Sequence, residues 1–443
     1  MTICRGSGLG AFVSLALGVF GANLGCSRPD SSAIELWAAG REGEVVAELI
    51  PGFESSHPGL HVRVQQMPWL GAHEKLLTSV VAESTPDIAP LGNTWVAEFA
   101  VIGALEPLDD RVSRSELIRE SDYFAGAWET NRFANTQYGV PWYVDTRLLF
   151  YRRDLLAEAG FEQPPQTWDE WRAMMSALRD RFDARREPRR APLYLPVHEP
   201  EPLIALALQQ GDPLLRDGDR FGNFRSAGFR RALDFYAGLF RDRLAPKIGV
   251  EIGNLYDEFA RGNFVFYIGG PWQLGEFARR LPRELQGSWA TAPLPGRDGA
   301  GSSLAFGSSL VVFSGSKKKD ASYALIEYLS RPDVQRHFYE LTGDLPPRRA
   351  SWQGPELSVD DRTAAFRSQL ERIEPTPAVP EWERIMAEIK TVGEMTARGR
   401  VGVDQAAAEL DARTDQILEK RRWLLEQPQR AAGTGTHARE EAR

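Results

Sequence analysis

The chain is poor in cysteine. Cys4 and Cys26 are the only two in 443 residues, and both lie near the N-terminus. A disulfide framework, a zinc knuckle or a catalytic cysteine in the body of the protein is therefore excluded. Histidine is sparse as well: His57, His61, His73, His198, His337 and His437 are scattered. His57 and His61 stand four apart, but Pro58-Gly59 between them breaks any helix, so they cannot form a helical metal pair. Lysine supplies only seven of the 53 basic residues, and 61 acidic residues leave a formal charge of −8. An acidic sum argues against bulk electrostatic affinity for nucleic acid or an anionic membrane surface. GxGxxG, P-loop, GxSxG and HExxH patterns are all absent, so no local signature marks nucleotide binding or these hydrolytic chemistries. Carboxylates are numerous enough for a glycosidase pair, but nothing local singles one out.

With 42% hydrophobic and 10% aromatic residues, the chain can build full cores, and 443 residues predict two or three domains. Residues 1–26 read as an export signal: Arg5 gives a small positive start, and Leu9 to Phe20 is apolar and uncharged. That run is short for a membrane span, and no later segment reaches about 18 apolar residues. Gly25 before Cys26 resembles a bacterial lipoprotein cleavage box, with Cys26 as the acylated first residue. Asn23 and Leu24 stand where such boxes usually carry leucine and a small residue, and an ordinary cleaved signal is the alternative. Removing residues 1–25 takes away Arg5 alone and leaves a formal charge of about −9.

The mature chain opens as strand, helix, strand. Ile34-Glu-Leu-Trp37 has strand character, and Val45, Val46, Leu49, Ile50 and Phe53 recur at helical spacing. His61-Val-Arg-Val64 then alternates like a half-buried strand. A parallel pair linked by a helix begins an α/β sheet. Further on, Thr167 and Glu170 form a capping box ahead of Trp171, Met174, Met175 and Leu178. Arg181–Arg190 reads as a solvated loop, and helices are expected from Leu203 to Phe240. Phe264-Val-Phe-Tyr-Ile268 is a continuous apolar strand running into Gly269-Gly-Pro-Trp272. Leu310–Phe313 reads as a further strand, and the tail over 427–443 as disordered.

The order of these segments resembles the family 1 extracellular solute-binding proteins of bacterial ABC transporters, the group containing maltose- and trehalose-binding proteins. The resemblance rests on Glu35-Leu-Trp37, the run Pro86 to Val96, Gly103 to Asp109, and Gly139-Val-Pro-Trp-Tyr-Val-Asp145 with Leu149 to Asp154. Gly269-Gly-Pro-Trp272, Phe306-Gly-Ser-Ser309, Tyr328-Leu-Ser-Arg-Pro332 and Gly343-Asp-Leu-Pro-Pro-Arg348 complete it. Each motif is weak alone; their order and spacing from Ile34 to Leu410 are specific. The resemblance implies a two-lobed α/β periplasmic-binding-protein fold, type II-like, each lobe a sheet flanked by helices. One lobe is expected at 33–143 plus 302–345 and the other at 144–301 plus 346–426, with ligand held between them. It also implies no cofactor, a monomeric receptor without enzymatic activity, permease subunits as membrane partners, and a periplasmic or cell-surface location through the Cys26 anchor.

A sugar presents apolar C–H faces and a rim of hydroxyls; aromatic rings suit the faces, carboxylates and arginines the rim. The chain has 12 tryptophans. Trp272 follows Gly-Gly-Pro at a strand end, where the turning chain exposes it, and it matches a stacking position of the family, as does Trp382. Asp145 matches an acidic ligand contact, with Tyr143 alongside. Arg41 and Glu42 occupy a contact loop after the first strand, and Asn93 and Trp95 the loop where the family places a polar contact. Glu199, or instead Glu201, fits a carboxylate contact. Gly307 and Ser308 would approach the ligand by backbone and hydroxyl, and Arg348 matches an arginine contact. This mixed set favours a neutral, hydroxyl-rich ligand, a di- or oligosaccharide. The alternatives are a receptor for a polyol, glycerophosphodiester or polyamine, and an exported carbohydrate-active enzyme.

Overall fold

The computed structural model describes residues 32–246, 254–358 and 361–426. The expected export signal, Cys26 and the tail over 427–443 lie outside the described residues. Two sheets organise the rest. The first has five strands in the order Val62–Met67, Ile34–Ala39, Ile88–Gly92, Phe306–Val312, Gly139–Asp145. Ile34–Ala39 runs parallel to both of its neighbours, and Phe306–Val312 is antiparallel to the strands on either side. The opening strand–helix–strand unit is as expected from the periodicity. Helix Gly40–Ser56 buries Val45, Val46, Leu49, Ile50 and Phe53 against the sheet, and the parallel strand pair needs such a crossover.

The second sheet has four strands in the order Trp289–Ala292, Leu148–Arg152, Phe264–Gly269, Ala191–Tyr194. Phe264–Gly269 is buried along its whole length, which its unbroken apolar run requires of a strand covered on both faces. Helix Trp168–Ala184 carries the expected capping box: the Thr167 hydroxyl accepts from the Glu170 backbone while the Glu170 carboxylate reaches back. The helix extends past Arg181, so only the later part of the arginine-rich stretch is loop. Between Leu203 and Phe240 the helices Glu201–Leu208 and Ala227–Arg241 are interrupted by a small antiparallel pair, Leu215–Arg216 with Phe221–Gly222. Asp217, Gly218 and Asp219 turn that pair with positive φ, a conformation Asp and Gly adopt most readily.

The chain changes sheet at Thr146-Arg147, between Gly139–Asp145 and Leu148–Arg152. It returns through Ser303-Leu304, which pairs in parallel with Ile373-Glu374. The crossings lie side by side. The Arg147 N–H donates to Ser303 Oγ at 3.2 Å, and that hydroxyl donates to the Arg147 carbonyl at 2.7 Å. Val144 N–H donates to the Leu345 carbonyl at 2.9 Å. Gly307 sits in this cluster with φ +130°, and a Cβ there would fall 2.3 Å from the Tyr143 carbonyl oxygen. Its backbone approach to Tyr143 and Asp145 is thus one only glycine allows.

Candidate binding cleft

In α/β sheets, ligand-contacting loops follow the carboxyl ends of parallel strands. Glu42 follows Ile34–Ala39, Asn93 follows Ile88–Gly92, Asp145 ends Gly139–Asp145, Glu199 follows Ala191–Tyr194, and Trp272 follows Phe264–Gly269. Both sheets therefore direct this end of their strands toward the crossings.

On the first lobe, Glu42 is 8% exposed. Its carboxylate accepts from Trp69 Nε1 at 3.1 Å and is hydrogen-bonded with the Tyr143 phenol. Burial, with Glu42 and Asp344 next to it, pushes the Tyr143 hydroxyl well above its ordinary range. Asp344 lies beside Glu42 and Asp145. Burial, reinforced by those two carboxylates and opposed by the Thr342 hydroxyl, pushes it up to about 8. Asp344 is therefore a protonated acid at neutral pH and offers an O–H where its neighbours offer acceptors.

At the crossing, Asp145 is paired with Arg147, whose Nη1 stands 2.9 Å from both carboxylate oxygens. Burial raises the Asp145 carboxyl, and Arg147 pulls it back down. On the second lobe, Glu201 lies 3.6 Å from Arg147 Nη2. Burial and then Glu201 raise the Glu199 carboxyl. Both glutamates thus border the same guanidinium, and the choice between them as a ligand contact stays open. Trp272 is 40% exposed, and the Arg147 guanidinium carbon lies 4.7 Å from the ring centroid. The turn before Trp272 is shaped for it: a Cβ on Gly270 would stand 1.9 Å from the indole. Just behind, Gln273 accepts from the Tyr256 hydroxyl at 2.9 Å and anchors the start of helix Trp272–Arg280.

Other expected contacts are placed differently. Asn93 is buried and accepts from the Ser309 hydroxyl at 3.1 Å. Trp95 packs edge-on against Trp69, 5.8 Å between centroids, and against His73. Between Asn93 and Trp95, Thr94 donates to Glu383 of the second lobe. Ser308 is buried within its strand and donates to the Leu91 carbonyl at 3.0 Å. Its hydroxyl is engaged within the sheet. Arg41 is exposed and pairs with Glu44 at 2.9 Å.

Two further expected residues are buried. Trp382 is 1% exposed in the second lobe's core with Ile385 and Ile389, so its indole offers no face for stacking. It falls at the start of helix Trp382–Ala397, where helical spacing aligns it with those isoleucines. Arg348 is 5% exposed; it donates to the Ser330 carbonyl at 2.6 Å and to Asp122 at 3.0 Å, lying over the Tyr123 ring. Its donors tie the segment after Leu345 to Asp122 and Ser330.

Three participants escaped the sequence reading: Trp69, Asp344 and Arg147. Arg147 alone carried a local signal, a charged residue abutting the apolar run Leu148–Tyr151. Among the described residues, no group of three or more His, Cys, Asp and Glu is arranged to hold a metal ion, and no helix is long and apolar enough to cross a membrane.

Comparison with known proteins agrees with this architecture. Residues 38–336 match the family model described as bacterial extracellular solute-binding protein. The sugar-binding protein MalE of Xanthomonas citri is 50% identical and superposes with a TM-score of 0.87, over 89% of this chain and 100% of that one. The diacetylchitobiose-binding protein DasA of Streptomyces coelicolor is 26% identical over 81% of this chain and 83% of its own. The galactooligosaccharide-binding protein of Bacillus subtilis is 23% identical over 90% and 94%. The two-lobed fold and the family match over two thirds of its length place this chain among the bacterial extracellular solute-binding proteins.

Proposed function

We propose that the chain is the extracytoplasmic binding component of an ABC importer, holding a di- or oligosaccharide between its lobes and presenting it to permease subunits. The observation that supports this is the cluster at the crossing: a part-exposed indole plate (Trp272) lies against Arg147, which pairs with Asp145 and faces Glu201, while Glu42 stands with Tyr143 and Asp344 next to Asp145. An indole covers a sugar's C–H face while carboxylates take its hydroxyl protons. Relatives named for binding diacetylchitobiose and galactooligosaccharides support the same ligand class. Tyr143, the Gly307 backbone and the protonated Asp344 complete the first-lobe rim in this reading, while Arg41, Asn93 and Trp95 stand at its edge. Lobe closure around the guest gives the permease a liganded shape to recognise.

The protein acts as a monomer and makes or breaks no bond in its ligand. Thermal-shift and calorimetric measurements with maltose, maltotriose, trehalose and diacetylchitobiose are expected to give at least one ligand with a raised melting midpoint, recovered chemically unchanged. Turnover of the sugar would contradict the receptor reading.

A polyamine receptor is the second reading, favoured by the carboxylate excess at the seam; spermidine in the same panel tests it. A glycerophosphodiester fits less well, because Arg147 is already engaged by Asp145 and Glu201. In an arginine-rich groove elsewhere, Arg190, Arg243 and Arg261 are each paired with a carboxylate, Glu187, Asp183 and Glu258 respectively.

Anchoring through an acylated Cys26 would hold the receptor at the membrane, and a relative from Streptomyces antibioticus is named as a lipoprotein. Metabolic labelling with a fatty acid is expected to mark the wild type and not Cys26→Ser; equal labelling of both would remove the anchor.

A further inference from the structure

Arg147 is a charged side chain set at the point where the chain leaves one sheet for the other, and it is 8% exposed. A buried guanidinium is costly unless anions and acceptors surround it, so its partners show what it is for. They are groups of the cleft. Nη1 meets Asp145, 2.9 Å to each oxygen, and Nη2 faces Glu201 at 3.6 Å. The guanidinium carbon lies over the Trp272 ring, 4.7 Å from its centroid. Its backbone is clamped on both sides by the Ser303 hydroxyl of the neighbouring crossing. One side chain thereby touches an acceptor of the first lobe, a carboxylate of the second and the stacking plate, while its main chain belongs to the hinge.

The geometry points to Arg147 as the positioning residue of the cleft: it aims the Asp145 carboxylate and forms the floor beneath the Trp272 indole, so that both meet the sugar in one fixed relation. This deepens the sugar-binding reading and rests on it. Arginine suits the task because separate nitrogens of one guanidinium reach Asp145 and Glu201 while its carbon lies over an aromatic ring; lysine supplies a single point charge. The charged surroundings sharpen the consequence. Asp145 is faced by Arg147 and the Thr146 N–H, which favour its ionised form, and by Glu201, which opposes it. Asp344 and the Tyr143 phenol lie on its other side, and Glu199 adds to the field at Arg147. Removing the guanidinium leaves Asp145 in a buried, anionic setting, where it takes up a proton at higher pH than in the wild type.

The test is calorimetry at pH 6, 7 and 8 with maltose, maltotriose, trehalose and diacetylchitobiose, comparing wild type, Arg147→Met and Arg147→Lys. Wild-type affinity is expected to vary less than about threefold over this range. Arg147→Met should bind at least about thirtyfold more weakly at pH 7 and recover affinity as pH rises and Asp145 ionises. Arg147→Lys should fall between the two and flatten the pH profile. An Arg147→Met affinity within about threefold of wild type overturns the proposal, and so does a loss as pH-independent as the wild type, which packing alone would give. If Arg147→Met does not fold, Arg147→Lys decides: affinity equal to wild type overturns it. Failure of the wild type to bind any of the four sugars is a separate result and overturns the underlying reading instead.

Discussion

Trp272→Ala is expected to weaken sugar binding about thirtyfold by calorimetry while leaving the folded core intact. Truncating an aromatic anchor in a binding site costs about 2 kcal/mol, and 1.4 kcal/mol is tenfold in affinity. The core is spared because Trp272 is 40% exposed, with its ring resting on Arg147 rather than on the apolar cluster of its own lobe. A second variant separates the indole's position from its presence. Gly270→Ala would put a Cβ at 1.9 Å from the ring and so swing the indole off its floor, and a comparable loss is expected. Unchanged affinity in Trp272→Ala would remove this residue from the site.

The second large effect concerns Asp344. Its carboxyl is pushed up to about 8 in the fold from an ordinary 3.8, by burial first and then by Glu42 and Asp145. Between those two values the folded chain holds a proton that the unfolded chain has released. Through this group, stability therefore falls as pH rises from about 4 toward 8. Asp344→Asn, which cannot ionise, is expected to unfold at higher denaturant concentration than wild type at pH 8. The gain should be about 2 kcal/mol, allowing for water reaching the partly open side of the residue, and should vanish near pH 4. A gain that is the same at both pH values would show that ionisation of Asp344 is not its source. A neutral acid here also makes physical sense for ligand binding: Asp344 stands in the field of Glu42 and Asp145, and the nearby Arg147 is paired with Asp145.

Much of the scaffold was legible because its signals are local. The opening strand–helix–strand needs only the period of Val45, Val46, Leu49, Ile50 and Phe53, and the capping box needs only Thr167 and Glu170. Trp272 was legible for a similar reason, since Gly-Gly-Pro after an apolar strand forces the chain to turn and leave the next side chain outside. Asp145 and Glu42 came from their places after strand ends, as the family resemblance implied.

What stayed hidden depends on tertiary placement. Asp344 meets Glu42 only through the tertiary fold, about 300 residues apart in the chain, and nothing near residue 344 announces that neighbour. Trp69 reaches Glu42 across 27 residues. Trp382 and Arg348 matched family positions in order, yet the first aligns with Ile385 and Ile389 on a buried helix face and the second finds Asp122 and Ser330 inside the first lobe. Residue order along a motif does not distinguish a side chain that lines a cleft from one that props up its wall.

The central claim is that a sugar sits at the seam between the sheets, where Arg147 joins Asp145 and Glu201 to the Trp272 indole and Glu42 stands nearby with Tyr143 and Asp344. A crystal structure grown with the tightest-binding sugar of the panel tests it most directly. The account predicts a sugar ring lying flat on the Trp272 indole with hydroxyls donated to Asp145 and to carboxylates of both lobes. Sugar bound at another surface, with Trp272 and Asp145 untouched, would contradict it.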